Sequence, residues 1–139
     1  MRKIIVILLL LGAHLNLTAI VPLLPGDPPP PWWVGGRLLW PFAIETNTII
    51  PAGDLLNTIT PILGITAAIC FLLATAALFR WIVTEKWFRS IIIVGVVLSI
   101  MLQAIWFTVW AVLPLLVDII LVWAVFGRQI SVSVLRKEK

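Results

Sequence analysis

Two residues of this 139-residue chain could do chemistry at a depth where most side chains cannot. Asp118 stands in the last apolar stretch, LPLLVDIILVWAVFG from Leu113 to Gly127, and is the only acidic residue inside a long hydrophobic run. A carboxylate in hydrocarbon is costly, so it must be paired, protonated, or turned towards water or protein. His14 is the only histidine and stands in the first apolar run. At ~1.5 Å rise per residue, Asp118 lies about 15 Å from Arg128 and His14 about 16 Å from Lys3. Both depths fall near the middle of a hydrocarbon core roughly 30 Å thick.

The two runs have opposite directions in a helical bundle and can be neighbours. The spacing therefore predicts a His14–Asp118 hydrogen bond or ion pair, with Asn16, Thr18 and Gln103 as polar company. Histidine titrates near neutral pH and intramembrane acids mark ion pathways, so one reading is a proton relay or ion-coupling site. The other is a structural clasp between two helices, and one pair without a second acid favours it. Asp118 can also bond Thr66, Thr75 or Gln103 in place of His14.

No other residues carry a reaction. The chain has no Gly-rich phosphate loop, no G-x-S-x-G elbow and no H-E-x-x-H motif, which leaves an enzyme with little support. Cys70 is the single cysteine, so no intramolecular disulfide or C-x-x-C centre forms, and one histidine rules out bis-histidine haem. No metal and no cofactor is expected. Arg37, Glu45 and Asp54 read as solvated or helix-capping groups.

These side chains sit in an apolar chain. Hydrophobic residues make up 62% of it and charged residues 12%, about half the ~25% of soluble domains. A soluble protein of this length could not hide so much apolar surface. The net charge of +4 comes from short basic clusters beside hydrophobic runs, which orient spans rather than bind nucleic acid.

Four runs are long enough to cross a bilayer as helices: about residues 4–21, 55–79, 90–107 and 112–127. The first follows Arg2 and Lys3 as a signal peptide would. It is long for one, and Leu17-Thr18-Ala19 is a poor cleavage site, so an uncleaved helix is expected. Residues 22–54 form a loop rich in proline and tryptophan, with Pro28 to Pro31 as a polyproline II spacer. Its indoles Trp32, Trp33 and Trp40 prefer the headgroup level, so the loop should fold back on the bilayer surface. Asp54 is placed to cap the second helix, and Pro61 should kink it. Gly64 with Ala68, and Gly95 with Ser99, are small-xxx-small pairs that let helix backbones approach. Pro114 opens the fourth helix, where its missing N–H costs little. Residues 128–139 make a basic tail whose Ser131–Leu135 part shows no clear structural signal.

Charge sets orientation. With four spans, nine of the ten Lys and Arg fall on one side, and only Arg37 on the other. Both termini are then cytoplasmic, with Trp81 and Trp87 at the inner interface and Trp32, Trp33, Trp40, Trp106 and Trp110 at the outer one.

The segment Lys86-Trp87-Phe88-Arg89, then GVVLSIMLQAIWF, a Trp-rich turn and LPLLVDIILVWAVF resembles small uncharacterised bacterial four-helix integral membrane proteins. The resemblance covers residues 86–127 and implies a fold and an orientation, not an activity. The sequence thus reads as an all-α membrane protein: a single domain and a four-transmembrane-helix bundle with a Pro/Trp-rich extracytoplasmic loop between helices 1 and 2. Inner (plasma) membrane location, a lipid bilayer as surroundings, and another membrane protein or self-association as partner are expected. The leading function is an accessory, assembly or scaffold subunit. The alternative is an oligomeric proton-coupled small-solute carrier or channel using Asp118 and His14.

Overall fold

The computed structural model describes residues 1–20, 39, 41, 47–51, 53–79, 81 and 83–137. Among them are helices α1 (Arg2–Leu17, extended by a 3-10 turn Thr18–Ile20), α2 (Asp54–Leu78), α3 (Phe88–Ile105), α4 (Val112–Phe126) and α5 (Val132–Lys137). Four stretches, Arg2–Ile20, Asp54–Leu78, Glu85–Ile105 and Val109–Phe126, are long and apolar enough to cross a membrane. A two-residue antiparallel ribbon, β1 (Asn47–Thr48) with β2 (Trp106–Phe107), is the only extended pairing among the described residues.

Each long helix buries one stripe at helical spacing. On α3 it is Phe88, Ile92, Gly95, Val96, Ser99, Leu102 and Gln103, and on α4 Pro114, Val117, Asp118, Leu121, Ala124 and Val125. Such i, i+3, i+4 recurrence gathers the residues on a single face. Unlike a soluble helix, the opposite faces are also apolar: Ile62, Ile65, Ile69 and Leu72 on α2, and Leu115, Leu116, Ile119 and Ile120 on α4, all lie exposed. Water penalises so much continuous apolar surface, and lipid does not. These are the features of a multi-pass membrane protein.

Helix α2 lies against α1 and α3, and α4 lies against the same two. Phe71 of α2 is fully buried at the centre. Its ring stands where Cβ atoms on Gly12 of α1 and Gly95 of α3 would be 3.2 and 3.0 Å away. The missing side chains make room for the ring.

Local details depart from expectation. Gly53, not Asp54, holds the N-cap of α2, and Asp54 is its first residue, where its charge still suits the positive end of the helix dipole. Pro61 lies inside helix α2, which continues past it as a kinked helix also does. The tail is structured: Ile130, Val132 and Leu135 are buried in the main core, and Arg89 donates to the carbonyls of Gln129 and, at 3.0 Å, Ile130. Most of the 22–54 loop, with Pro28–Pro31, lies outside the described residues. Of the rest, Leu39 packs against the core, Pro41 is buried, and Ile49 N–H donates to the Ile105 carbonyl at 3.1 Å.

Candidate functional site: a buried polar cluster

Ser99 and Gln103 are one helical turn apart on α3, so their side chains share a face. The α3–α4 hairpin folds back around residues 106–111 and brings that face against Asp118 near the middle of α4. Asp118 Oδ2 accepts from Ser99 Oγ at 2.7 Å and from Gln103 Nε2 at 2.9 Å. Ser99 Oγ accepts in turn from Gln103 Nε2 at 2.9 Å and from Asn16 Nδ2 of α1 at 3.1 Å. Asn16 Nδ2 also donates to the Gly12 carbonyl at 2.9 Å. Three helices are thereby joined through one serine hydroxyl.

The cluster is dry. Asn16, Ser99, Gln103 and Asp118 are 1%, 0%, 6% and 2% exposed. Two of its oxygens, Asn16 Oδ1 and Gln103 Oε1, have no hydrogen-bond partner among the described residues. Turning the Asn16 amide over would set its oxygen against the Gly12 carbonyl. Turning Gln103 would set oxygen against the carboxylate. Neither exchange is favourable, because two acceptors facing each other share no proton.

The predicted His14–Asp118 pair is not among these bonds. His14 Nε2 lies 3.1 Å from the Leu39 carbonyl and, facing an acceptor, carries the proton there. The reason is angular. His14 and Asn16 are two residues apart, about 200° around the helix, so only one of them can face the cluster. Asn16 does, and His14 meets the segment around Leu39. Of the other partners weighed for Asp118, Gln103 is the one that bonds it; Thr66 is exposed, and Thr75 Oγ1 donates to the Phe71 carbonyl at 3.0 Å. Thr18 Oγ1 donates to the Leu15 carbonyl at 2.6 Å.

The small residues lie inside. A Cβ on Gly64 would be 2.8 Å from the Asn16 carbonyl oxygen, and one on Gly95 would be 3.0 Å from Cys70 Cβ. Ala68 and Ser99 are buried too, so both pairs face other helices of this chain rather than an open groove. Ser99 serves as the hydrogen-bond hub as well, a role the small-residue pattern does not reveal. The hairpin could have revealed it, since residues equidistant from its turn meet across it, as Ser99 meets Asp118.

Of the tryptophans, Trp32, Trp33 and Trp40 lie outside the described residues. Trp81 and Trp87 are exposed, and the Lys86 ammonium sits 5.9 Å from the Trp87 ring. Trp110 is exposed at the turn, whereas Trp106 turns inward and donates to Thr60 Oγ1 at 2.6 Å, bracing α3 against α2. Among the described residues, no group of three His, Cys, Asp or Glu is placed to hold a metal ion.

Comparison with protein families, with curated proteins and with solved structures gives no match. The site therefore has to be read from its own geometry.

Proposed function

We propose that this chain is an accessory, assembly or scaffold subunit of a membrane complex, built as a four-transmembrane-helix bundle that presents its outer loop. The observation that carries the reading is the double attachment of that loop to the helices. Leu39 meets His14 through its carbonyl, and Asn47–Thr48 pair with Trp106–Phe107. The segments at Leu39 and at Asn47–Thr48, tied to the helices and their turn, are held in place for a partner, whereas untethered ones would lose more entropy on binding. The small residues are occupied within the chain, so contact with another membrane protein or a second copy falls to the loop and the apolar outer faces. The positive-inside count supports an inner (plasma) membrane location with both termini cytoplasmic.

Purification in mild detergent followed by native mass spectrometry tests this reading. A second membrane protein or a second copy is expected to co-purify, and to be lost when Trp32 and Trp33 are replaced by alanine. A stable monomer without partners would overturn it.

The alternative, a proton-coupled carrier or channel, draws support from one observation: a buried carboxylate adjoins two acceptor oxygens that nothing in the cluster satisfies. In that reading Asp118 is the coupling group, and His14, bonded elsewhere, is not its direct partner. Proton-driven uptake in vesicles, abolished by Asp118→Asn, would favour it over the scaffold.

A further inference from the structure

We infer that the Asp118–Ser99–Gln103–Asn16 cluster is a binding site for one monovalent cation, coordinated by oxygen atoms. Asp118 is 2% exposed, and its side-chain hydrogen bonds come from two neutral groups, Ser99 and Gln103. A buried carboxylate without a counter-charge is strongly disfavoured in hydrocarbon, and no basic side chain among the described residues pairs with Asp118, so the charge has to be cancelled by a bound cation or by a proton. The basic groups of the adjoining helices are engaged or placed elsewhere. Arg2 and Lys3 open α1, where Arg2 donates to the Leu78 carbonyl. Arg89, at the start of α3, holds the tail, and His14 of α1 meets Leu39. The acidic Asp54 opens α2, far along the chain from the buried stripe around Phe71.

Counting acceptors then separates the ways to neutralise it. Asn16 Oδ1 and Gln103 Oε1 are both without partners among the described residues, on side chains 1% and 6% exposed. Both amides direct their nitrogens to Ser99 Oγ, at 3.1 and 2.9 Å. Covalent geometry puts an amide oxygen ~2.2 Å from its own nitrogen, so each orphan lies within about 5.5 Å of that hydroxyl. Protonation of the carboxyl alone cancels the charge but supplies one O–H. A bridging water supplies two and leaves the charge standing. A cation bound at the carboxylate cancels the charge and can take an amide oxygen as a further ligand. One carboxylate also selects a single positive charge, because a divalent ion would leave an uncompensated charge in its place. Hard oxygen ligands suit an alkali ion, and hydronium offers the same charge with three donors.

This inference does not depend on the scaffold reading, since a bound ion can stabilise the helices whether or not a partner is present. Thermal unfolding of the full chain in detergent, in NaCl or KCl against N-methyl-glucamine chloride at equal ionic strength and two pH values, tests it. An alkali ion should raise Tm saturably, as expected for a ligand of the folded state alone. If hydronium is the occupant, Tm rises as pH falls and is indifferent to the alkali ion. Either response should vanish in Asp118→Asn, which keeps the side-chain volume. It should also weaken in Asn16→Leu, which removes an orphan oxygen without touching the carboxyl. A Tm unaffected by both ion and pH overturns the site. So does a response that Asn16→Leu leaves intact, because simple protonation of Asp118 would then suffice.

Discussion

At the scale of single residues, Ser99 is the joint of the cluster. Its hydroxyl donates to Asp118 and accepts from Gln103 and Asn16, so removing it disturbs three side chains at once. Ser99→Ala leaves the carboxylate one donor short and Asn16 with only the Gly12 carbonyl. A cost of ~1–2 kcal/mol is expected, towards the upper end for interhelical hydrogen bonds in membranes. A double-mutant cycle in a steric-trap or denaturant assay should find strong coupling between Ser99→Ala and Asp118→Asn, and none between His14→Leu and Asp118→Asn. Coupling of the second pair would restore the histidine to the site. The sequence made Asp118 conspicuous, because one acid in an apolar run needs a partner. It did not settle the partner, because depth alone cannot choose between residues two apart on a helix. The facing of α1 decides that, and Gly64 takes part by admitting α2 against the Asn16 carbonyl.

At the scale of elements, the boundaries of the four spans were legible to within a few residues, since long apolar runs between charges leave little choice. The tail was not legible. Ile130, Val132 and Leu135 are too few to make a periodic signal, and the side chain that bonds the carbonyls at the start of the tail, Arg89, stands some forty residues earlier. Nor was the ribbon, whose pairing of Asn47–Thr48 with Trp106–Phe107 is non-local. The helix contacts themselves rest on absent side chains, and this gives a graded prediction. An alanine at Gly64 would bring its methyl to 2.8 Å from a backbone oxygen, which cannot swing aside. At Gly53 it would meet nothing within 4 Å. Gly64→Ala should destabilise by ~1–3 kcal/mol, as overpacking does, while Gly53→Ala should cost less, under ~1 kcal/mol, from the poorer N-cap alone. Equal thermal shifts for the two would contradict the close approach of α1 and α2.

Arg89 also links the elements to the chain end, and that link can be opened. Its guanidinium holds the carbonyls of Gln129 and Ile130 just where the backbone takes a left-handed turn, Gln129 having φ 49°. In Arg89→Gln the shorter neutral side chain should release that turn, and trypsin should cut after Arg128 several-fold faster than in the unsubstituted chain. Unchanged cleavage would mean that burial of Val132 and Leu135 holds the tail without the arginine.

At the scale of the whole molecule, a small polar cluster is enclosed within an apolar core while broad apolar faces point outward. The cluster around Asp118 is enclosed by helices whose outward faces are isoleucine, leucine and valine. In water this arrangement would be unstable, and in lipid it is the favoured one, since polar groups satisfy one another and apolar faces meet acyl chains. What remains is which way the molecule faces. Arg2, Lys3, Lys86, Arg89 and Arg128 all stand at one end of the helices, and cationic side chains also rest on rings there, Arg2 on Phe79 at 5.0 Å and Arg128 on Trp123 at 5.1 Å. Basic residues near span ends are retained on the cytoplasmic side, so this end should face inward. Single-cysteine labelling checks it, starting from Cys70→Ala to remove the native thiol. Ile49→Cys, at a position 74% exposed, should react with a membrane-impermeant maleimide in intact cells. Ser133→Cys, on the exposed side of α5, should react only after the membrane is opened. The opposite pattern would invert the molecule, and with it the side from which any partner reaches the loop. Labelling of both sites in intact cells would show that the charge asymmetry does not set one orientation.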